Sequence, residues 1–168
     1  MSEFARLFDA ARLPAGEQLV EANEAEGAAL AKRFGLVAVK RLSARVTMVA
    51  DGPTVRATGR LEAQVVQSCA VSGEDLPAKI AEPVALHFVP ALPPSEGEVE
   101  LDAADLDQIE MDGTRFDLGE AIAQGMALGI DPYAEGPGAK AARRKAGILN
   151  EGEGGAFAAL KGLLGNQP

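Results

Sequence analysis

Apolar and polar side chains alternate along two consecutive stretches of the chain. Leu42, Ala44, Val46 and Met48 interleave with Arg41, Ser43, Arg45 and Thr47. After them Val55, Ala57, Gly59, Leu61, Ala63 and Val65 interleave with Thr54, Arg56, Thr58, Arg60, Glu62 and Gln64. A period of two sends the two sets to opposite faces of a strand, so each stretch predicts a strand with one wet face. Asp51-Gly52-Pro53 breaks the run between them, and the pair therefore predicts a long antiparallel hairpin. A further strand is expected near 79 to 89, with Val84, Leu86 and Phe88 on one face and Ala85, His87 and Val89 on the other. Pro83 inside it has no backbone donor to give a ladder, which argues for an edge position. The alternation near Phe4 to Phe8 and Glu17 to Ala22 is briefer and fits shorter strands.

A second periodicity marks helices. Asn23 precedes Glu26 by three residues, the spacing at which a cap side chain and a returning carboxylate satisfy each other's backbone donors. The helix expected over 24 to 34 carries Ala29, Leu30 and Phe34 and stops at Gly35, where a left-handed residue is tolerated. Asp117 and Glu120 repeat the capping spacing, and Leu118, Ile122, Met126 and Ile130 recur every fourth residue until Asp131-Pro132. Gly119, Gly125 and Gly129 each cost this helix up to about 1 kcal/mol relative to Ala, a loss that close backbone approach can offset. Together these elements predict an α+β fold: an antiparallel sheet, open or barrel-like, flanked by two main helices. Residues 1 to 133 read as one domain, and 134 to 168 as a flexible basic and Gly-rich tail. That tail ends in a short helix carrying Phe157, Leu160, Leu163 and Leu164.

Composition narrows the function classes. Hydrophobic residues make up 47% of the 168, but aromatics only 4%, with no Trp, so the core is built from Val, Leu, Ile and Ala. A single cysteine, Cys69, rules out an intramolecular disulfide. The N-terminal MSEFARLFDA lacks the apolar run of a signal peptide, and no stretch approaches the roughly 18 apolar residues of a membrane span. A cytoplasmic protein is expected. The net charge of -9 disfavours nonspecific binding to phosphate backbones. The charge is uneven: residues 95 to 112 hold eight acids and no base, within a loop expected over about 91 to 108, whereas Lys140, Arg143, Arg144 and Lys145 form a basic cluster.

At Gln67-Ser68-Cys69-Ala70-Val71 the run QSCAVSGEDLPAKIAEPVALHFVP resembles the central motif of the YceD family, the large ribosomal RNA accumulation proteins. Their order of an acidic loop, a D-L-G-E type helix and an L-x-x-D-P-Y segment is matched by Asp117-Leu118-Gly119-Glu120 and by Leu128-Gly129-Ile130-Asp131-Pro132-Tyr133. The stretches around 22 to 36 and 137 to 164 also resemble the alphaproteobacterial branch. The resemblance implies a non-enzymatic role in accumulation of 23S rRNA and the large subunit. It also implies a frequent genetic association with a small basic ribosomal protein. Many relatives have Cys-x-x-Cys where this chain has Cys69-Ala70-Val71-Ser72, so a zinc site does not carry over. Ala134-Glu135 stands where the branch usually has a proline and a basic residue.

The chemistry-bearing residues divide between bland and functional readings. Zinc needs about four ligands, and one Cys with one His does not supply them, so Cys69 reads as a buried structural thiol rather than a metal ligand. His87 lacks a nucleophile partner and reads as an exposed strand residue. Asp105 and Asp107 begin a calcium-loop pattern that fails at Ile109 and Glu110. GEGGAFAALKG lacks the glycine directly before lysine of a phosphate loop. No catalytic residue, cofactor, metal or small-molecule substrate is expected. Glu96, Glu98, Glu100, Asp102, Asp105 and Asp107 form either a solvated surface or a cradle for a basic ribosomal protein. Lys140, Arg143, Arg144 and Lys145 are either an exposed helix face or a contact to large-subunit rRNA or a pre-ribosome. Tyr133 is either an aromatic plug after a helix stop or a stacking platform for an unpaired base.

Overall fold

The computed structural model describes residues 2–91 and 108–147. In chain order the elements are β1 (Leu7–Asp9), β2 (Glu17–Glu21), α1 (Glu24–Phe34), β3 (Ala38–Asp51), β4 (Thr54–Ser68) and β5 (Asp75–Pro90). β6 (Gln108–Met111), β7 (Arg115–Asp117), α2 (Leu118–Leu128) and α3 (Ala139–Lys145) follow. The alternating stretches pair as predicted: β3 and β4 run antiparallel from Ala38↔Val66 to Asp51↔Thr54 around a turn at Gly52, whose φ of 63° is left-handed. The register shifts between Val39 and Arg41, a bulge that leaves Lys40 as the extra residue. β2 adds to β3 antiparallel, with Val20 opposite Ala44.

The fold is α+β, with a five-stranded sheet ordered β2-β3-β4-β5-β6 and a separate ribbon of β1 and β7. Two expectations need correcting. β6 lies parallel to β5, so the sheet is mixed rather than antiparallel, and among the described residues it does not close into a barrel. β5 therefore has neighbours on both sides and is not an edge strand. The physical point about Pro83 survives locally, because β6 pairs only with His87–Pro90 and leaves Pro83 outside that ladder. His87 is half-buried, not exposed, because it lies in this two-sided stretch.

The described residues pack as two compact units, 2–67 with 77–91 and 108–131, and 68–76 with 132–147. In the first, one face of the hairpin supplies Leu42, Ala44, Val46, Met48, Val55, Ala57, Leu61, Ala63 and Val65, all buried. Leu30 of α1 and Leu118, Ile122 and Met126 of α2 join the same cluster. The Phe116 ring packs tilted against Phe88 with centroids 4.3 Å apart, which ties the short ribbon to β5. The predicted capping box at α1 is present: Asn23 Oδ1 accepts from the Glu26 amide at 2.9 Å, and Glu26 Oε2 accepts from the Asn23 amide at 2.8 Å. The acidic residues from Glu96 to Asp107 and the apolar residues from Phe157 to Leu164 lie outside the described residues.

Candidate functional site

The Asp117-Leu118-Gly119-Glu120 segment is where α2 meets the N-terminal chain. Asp117 Oδ1 accepts from the Glu120 amide at 3.1 Å and from the Arg6 amide at 2.8 Å, while the Leu118 amide donates to the Arg6 carbonyl at 3.0 Å. The segment before β1 thus crosses the first turn of the helix. A Cβ on Gly119 would stand 1.9 Å from the Phe4 carbonyl oxygen, so only glycine admits this crossing. The capping box expected here is half made. Instead of returning to Asp117, the Glu120 carboxylate takes both Arg33 nitrogens at 2.6 and 2.8 Å and the Gln124 amide at 2.9 Å. The Arg33 guanidinium, foremost, holds Glu120 down at about 2.

The second motif also begins in the first unit. Gln67 is buried, and its Nε2 donates 3.0 Å to the Asp131 carbonyl, fastening the chain just beyond α2. The helix ends at Leu128 with Gly129 as its cap, earlier than the expected stop at Asp131-Pro132. Gly129 sits close against the Ile80 side chain there.

In the second unit the turn after β4 and the segment after Pro132 are laced together. The Ala70 amide donates to the Ala134 carbonyl at 3.0 Å, and the amides of Ser72 and Gly136 each point at Cys69 Sγ at 3.3 Å. Cys69 is 3% exposed. The Gly136 amide, first among several donors, favours the thiolate and lowers the thiol to about 7. Glu74 Oε1 accepts from the Gly138 amide at 2.8 Å, placing a carboxylate at the start of α3, where the helix dipole favours it.

The predicted cationic residues lie on α3. Lys140, Arg144 and Lys145 are exposed, whereas Arg143 is engaged by the Glu135 carboxylate, with Nη1 2.9 Å from Oε2. Glu135 is the residue standing where a base was expected in the resemblance, and it neutralises one of the four cations. Tyr133 is 81% exposed and does not act as a plug. On the hairpin's wet face Arg41, Arg45, Arg56 and Arg60 are exposed, each beside a carboxylate, and Lys79 of β5 is exposed as well. The alternation that predicted the strands put these arginines on the polar side.

Other chemistry is sparse. Among the described residues no three His, Cys, Asp or Glu side chains are grouped to hold a metal ion, and no helix is long and apolar enough to cross a membrane. The cleft between α2 and the β5 and β6 strands, about 570 Å³, is walled by Val84, Leu86, Ile109, Ile122 and Leu128. Glu82, Gln108 and Gln124 add polar groups to the same lining.

Comparison with curated proteins and with solved structures finds no match. A family model, that of the large ribosomal RNA subunit accumulation protein YceD, matches residues 57–164. That span contains the Gln67-Ser68-Cys69 turn, the Asp117 to Glu120 helix start and the Asp131-Pro132-Tyr133 segment. With the match extending over more than half of its length, the chain belongs to the YceD family of large ribosomal RNA subunit accumulation proteins.

Proposed function

We propose that this chain is a non-catalytic, cytoplasmic factor that supports accumulation of the large-subunit rRNA by binding it or the pre-ribosome that contains it. The observation that carries this reading is how the family motifs are spent. Gln67, Asp117, Leu118, Gly119 and Glu120 are each engaged in fastening one chain segment to another, through a side-chain bond, an apolar contact or a close approach. Residues occupied in this way give the fold the fixed surface that a binding role uses.

The test is affinity purification of the tagged protein from its own cells at low and moderate salt, with RNA and protein both identified. Large-subunit rRNA or its precursors in the eluate is the expected result, and an eluate with no rRNA enrichment contradicts it. A second reading, an acidic chaperone for a small basic ribosomal protein, is favoured by the net charge of -9 and the eight acids between residues 95 and 112. It expects one basic ribosomal protein to persist without RNA, most strongly at low salt.

A further inference from the structure

We propose that the outward face of α3 is the surface through which this protein holds an RNA phosphate backbone, a deepening that rests on the rRNA reading above. Between Glu135 and Glu151 the chain carries four bases and no acid. Helical geometry sorts that stretch by face, since positions three and four apart share a side. Ala139 is buried and Ala142 and Arg143 are half-buried, so these form the inward side, while Lys140, Ala141, Arg144 and Lys145 are exposed together. Every charged residue on the outward side is therefore a cation.

The acids of the same unit do not neutralise this face. Its described residues hold three, Glu74, Asp75 and Glu135, against four bases. Glu135 is spent on Arg143, with Oε2 2.9 Å from Nη1, and Glu74 accepts from the Gly138 amide at 2.8 Å. Asp75 opens β5 and makes no ion pair among the described residues. Lys140, Arg144 and Lys145 likewise make none there. The wet face of the β3-β4 hairpin differs, because each of its arginines stands beside a carboxylate.

Folding alone accounts for only part of this placement. Arg144 and Lys145 lie in the last turn, where the helix dipole favours a cation. Lys140 lies in the first turn, where the dipole disfavours one, and Glu74 offsets part of that cost without coming within ion-pair distance. Lys140 and Arg144 also stand four residues apart, a like-charge pair that weakens a helix. A polyanion laid across the face relieves both conflicts. What the face lacks decides the occupant: besides charge it presents only the methyl of Ala141 between its cations, whereas protein partners are anchored through buried aromatic or aliphatic side chains. Phosphate contacts need only charge and donors. A rise of about 1.5 Å per residue sets Lys140 and Lys145 about 7.5 Å apart along the axis, within reach of neighbouring phosphates of one strand. The helix is mounted firmly for this, since the Ala134 carbonyl accepts from the Ala70 amide and the Gly136 amide points at Cys69 Sγ. Tyr133, 81% exposed, leads into the same segment and offers a ring on which an unpaired base stacks.

The experiment measures binding of the full chain to transcripts of the large-subunit rRNA across a salt series. The native protein is compared with a variant carrying Lys140→Gln, Arg144→Gln and Lys145→Gln. A control with the same change of charge elsewhere carries Arg45→Gln, Arg56→Gln and Arg60→Gln, and a charge-keeping variant carries Lys140→Arg, Arg144→Lys and Lys145→Arg. Circular dichroism and thermal unfolding check that each remains folded; the positions changed are exposed. The expected result for the α3 glutamine variant is an affinity loss of at least roughly tenfold at low salt and a salt slope shallower by about 2 for single-stranded contacts. The sheet control stays within about threefold of the native protein, the effect of distant charge alone. The charge-keeping variant retains most of the affinity. Unchanged binding by the α3 glutamine variant, an equal loss in the sheet control, or absence of RNA binding by the native protein each overturns the proposal. So does RNA binding that persists in the α3 glutamine variant while an acidic protein is lost from the complexes purified with it. The rRNA reading is judged separately: large-subunit rRNA that falls on depletion, while the native protein binds no transcript, removes this surface and leaves that role standing.

Discussion

At the scale of single residues, the most informative side chain is Cys69. The sequence allowed a buried structural thiol or a reactive one, and the folded chain gives it a specific structural task, accepting from the Ser72 and Gly136 amides. Those donors favour the thiolate, and the thiol is lowered from its ordinary 9.0 to about 7. A group whose folded value is depressed contributes stability that is fully present above its unfolded value and is lost as pH falls through the folded one. Stability against urea is therefore expected to rise between about pH 7 and 9 in the native protein. In Cys69→Ser, where a hydroxyl keeps the acceptor but does not ionise, the curve should be flat over that window. A rise of equal size in both proteins would remove the thiolate from the explanation. The partner Gly136 lies 67 positions away and belongs to no helical or strand pattern, so nothing in the sequence around Cys69 disclosed it. By contrast, the Asn23 cap was readable because both of its bonds are local.

At the scale of elements, periodicity located α1, β3, β4 and α2, because each buries one face and that demand writes itself into every second or every third to fourth residue. β6 escaped notice: four residues pairing parallel with β5 are too few to show a period, and parallel pairing is a long-range choice. The half-made cap of α2 was equally hidden, since Asp117 and Glu120 keep the capping spacing while Arg33, 87 positions from Glu120, draws the carboxylate away. The glycines of α2 differ in what they do, and this is testable. Gly119→Ala drives a methyl into the Phe4 carbonyl and is expected to destabilise the protein by about 3 kcal/mol. Gly125→Ala meets only the Leu61 Cδ2 methyl at 3.1 Å, which can yield, and gains up to about 1 kcal/mol of helix propensity, so its unfolding midpoint should stay near the native one. Equal losses from the two substitutions would show that the crossing of the segment before β1 is not what requires glycine at 119.

At the scale of the whole molecule, the net charge does not show how charge is laid out over the surface: Arg41, Arg45, Arg56 and Arg60 share one face of the sheet with Glu17, Glu21, Asp51 and Glu62. A net charge of -9 argues against nonspecific attraction to RNA through the long-range field. It does not give that layout, because contiguity is a property of register rather than of composition. Family membership supplies the biological direction, and within the matched span Gln67 and Asp117 each fasten one chain segment to another. The central claim is that the chain sustains large-subunit rRNA, and depletion followed by quantification of large- against small-subunit rRNA tests it most directly. A fall in the large-to-small rRNA ratio, restored by the native protein, is the predicted outcome, whereas a ratio unchanged after full depletion would contradict the account.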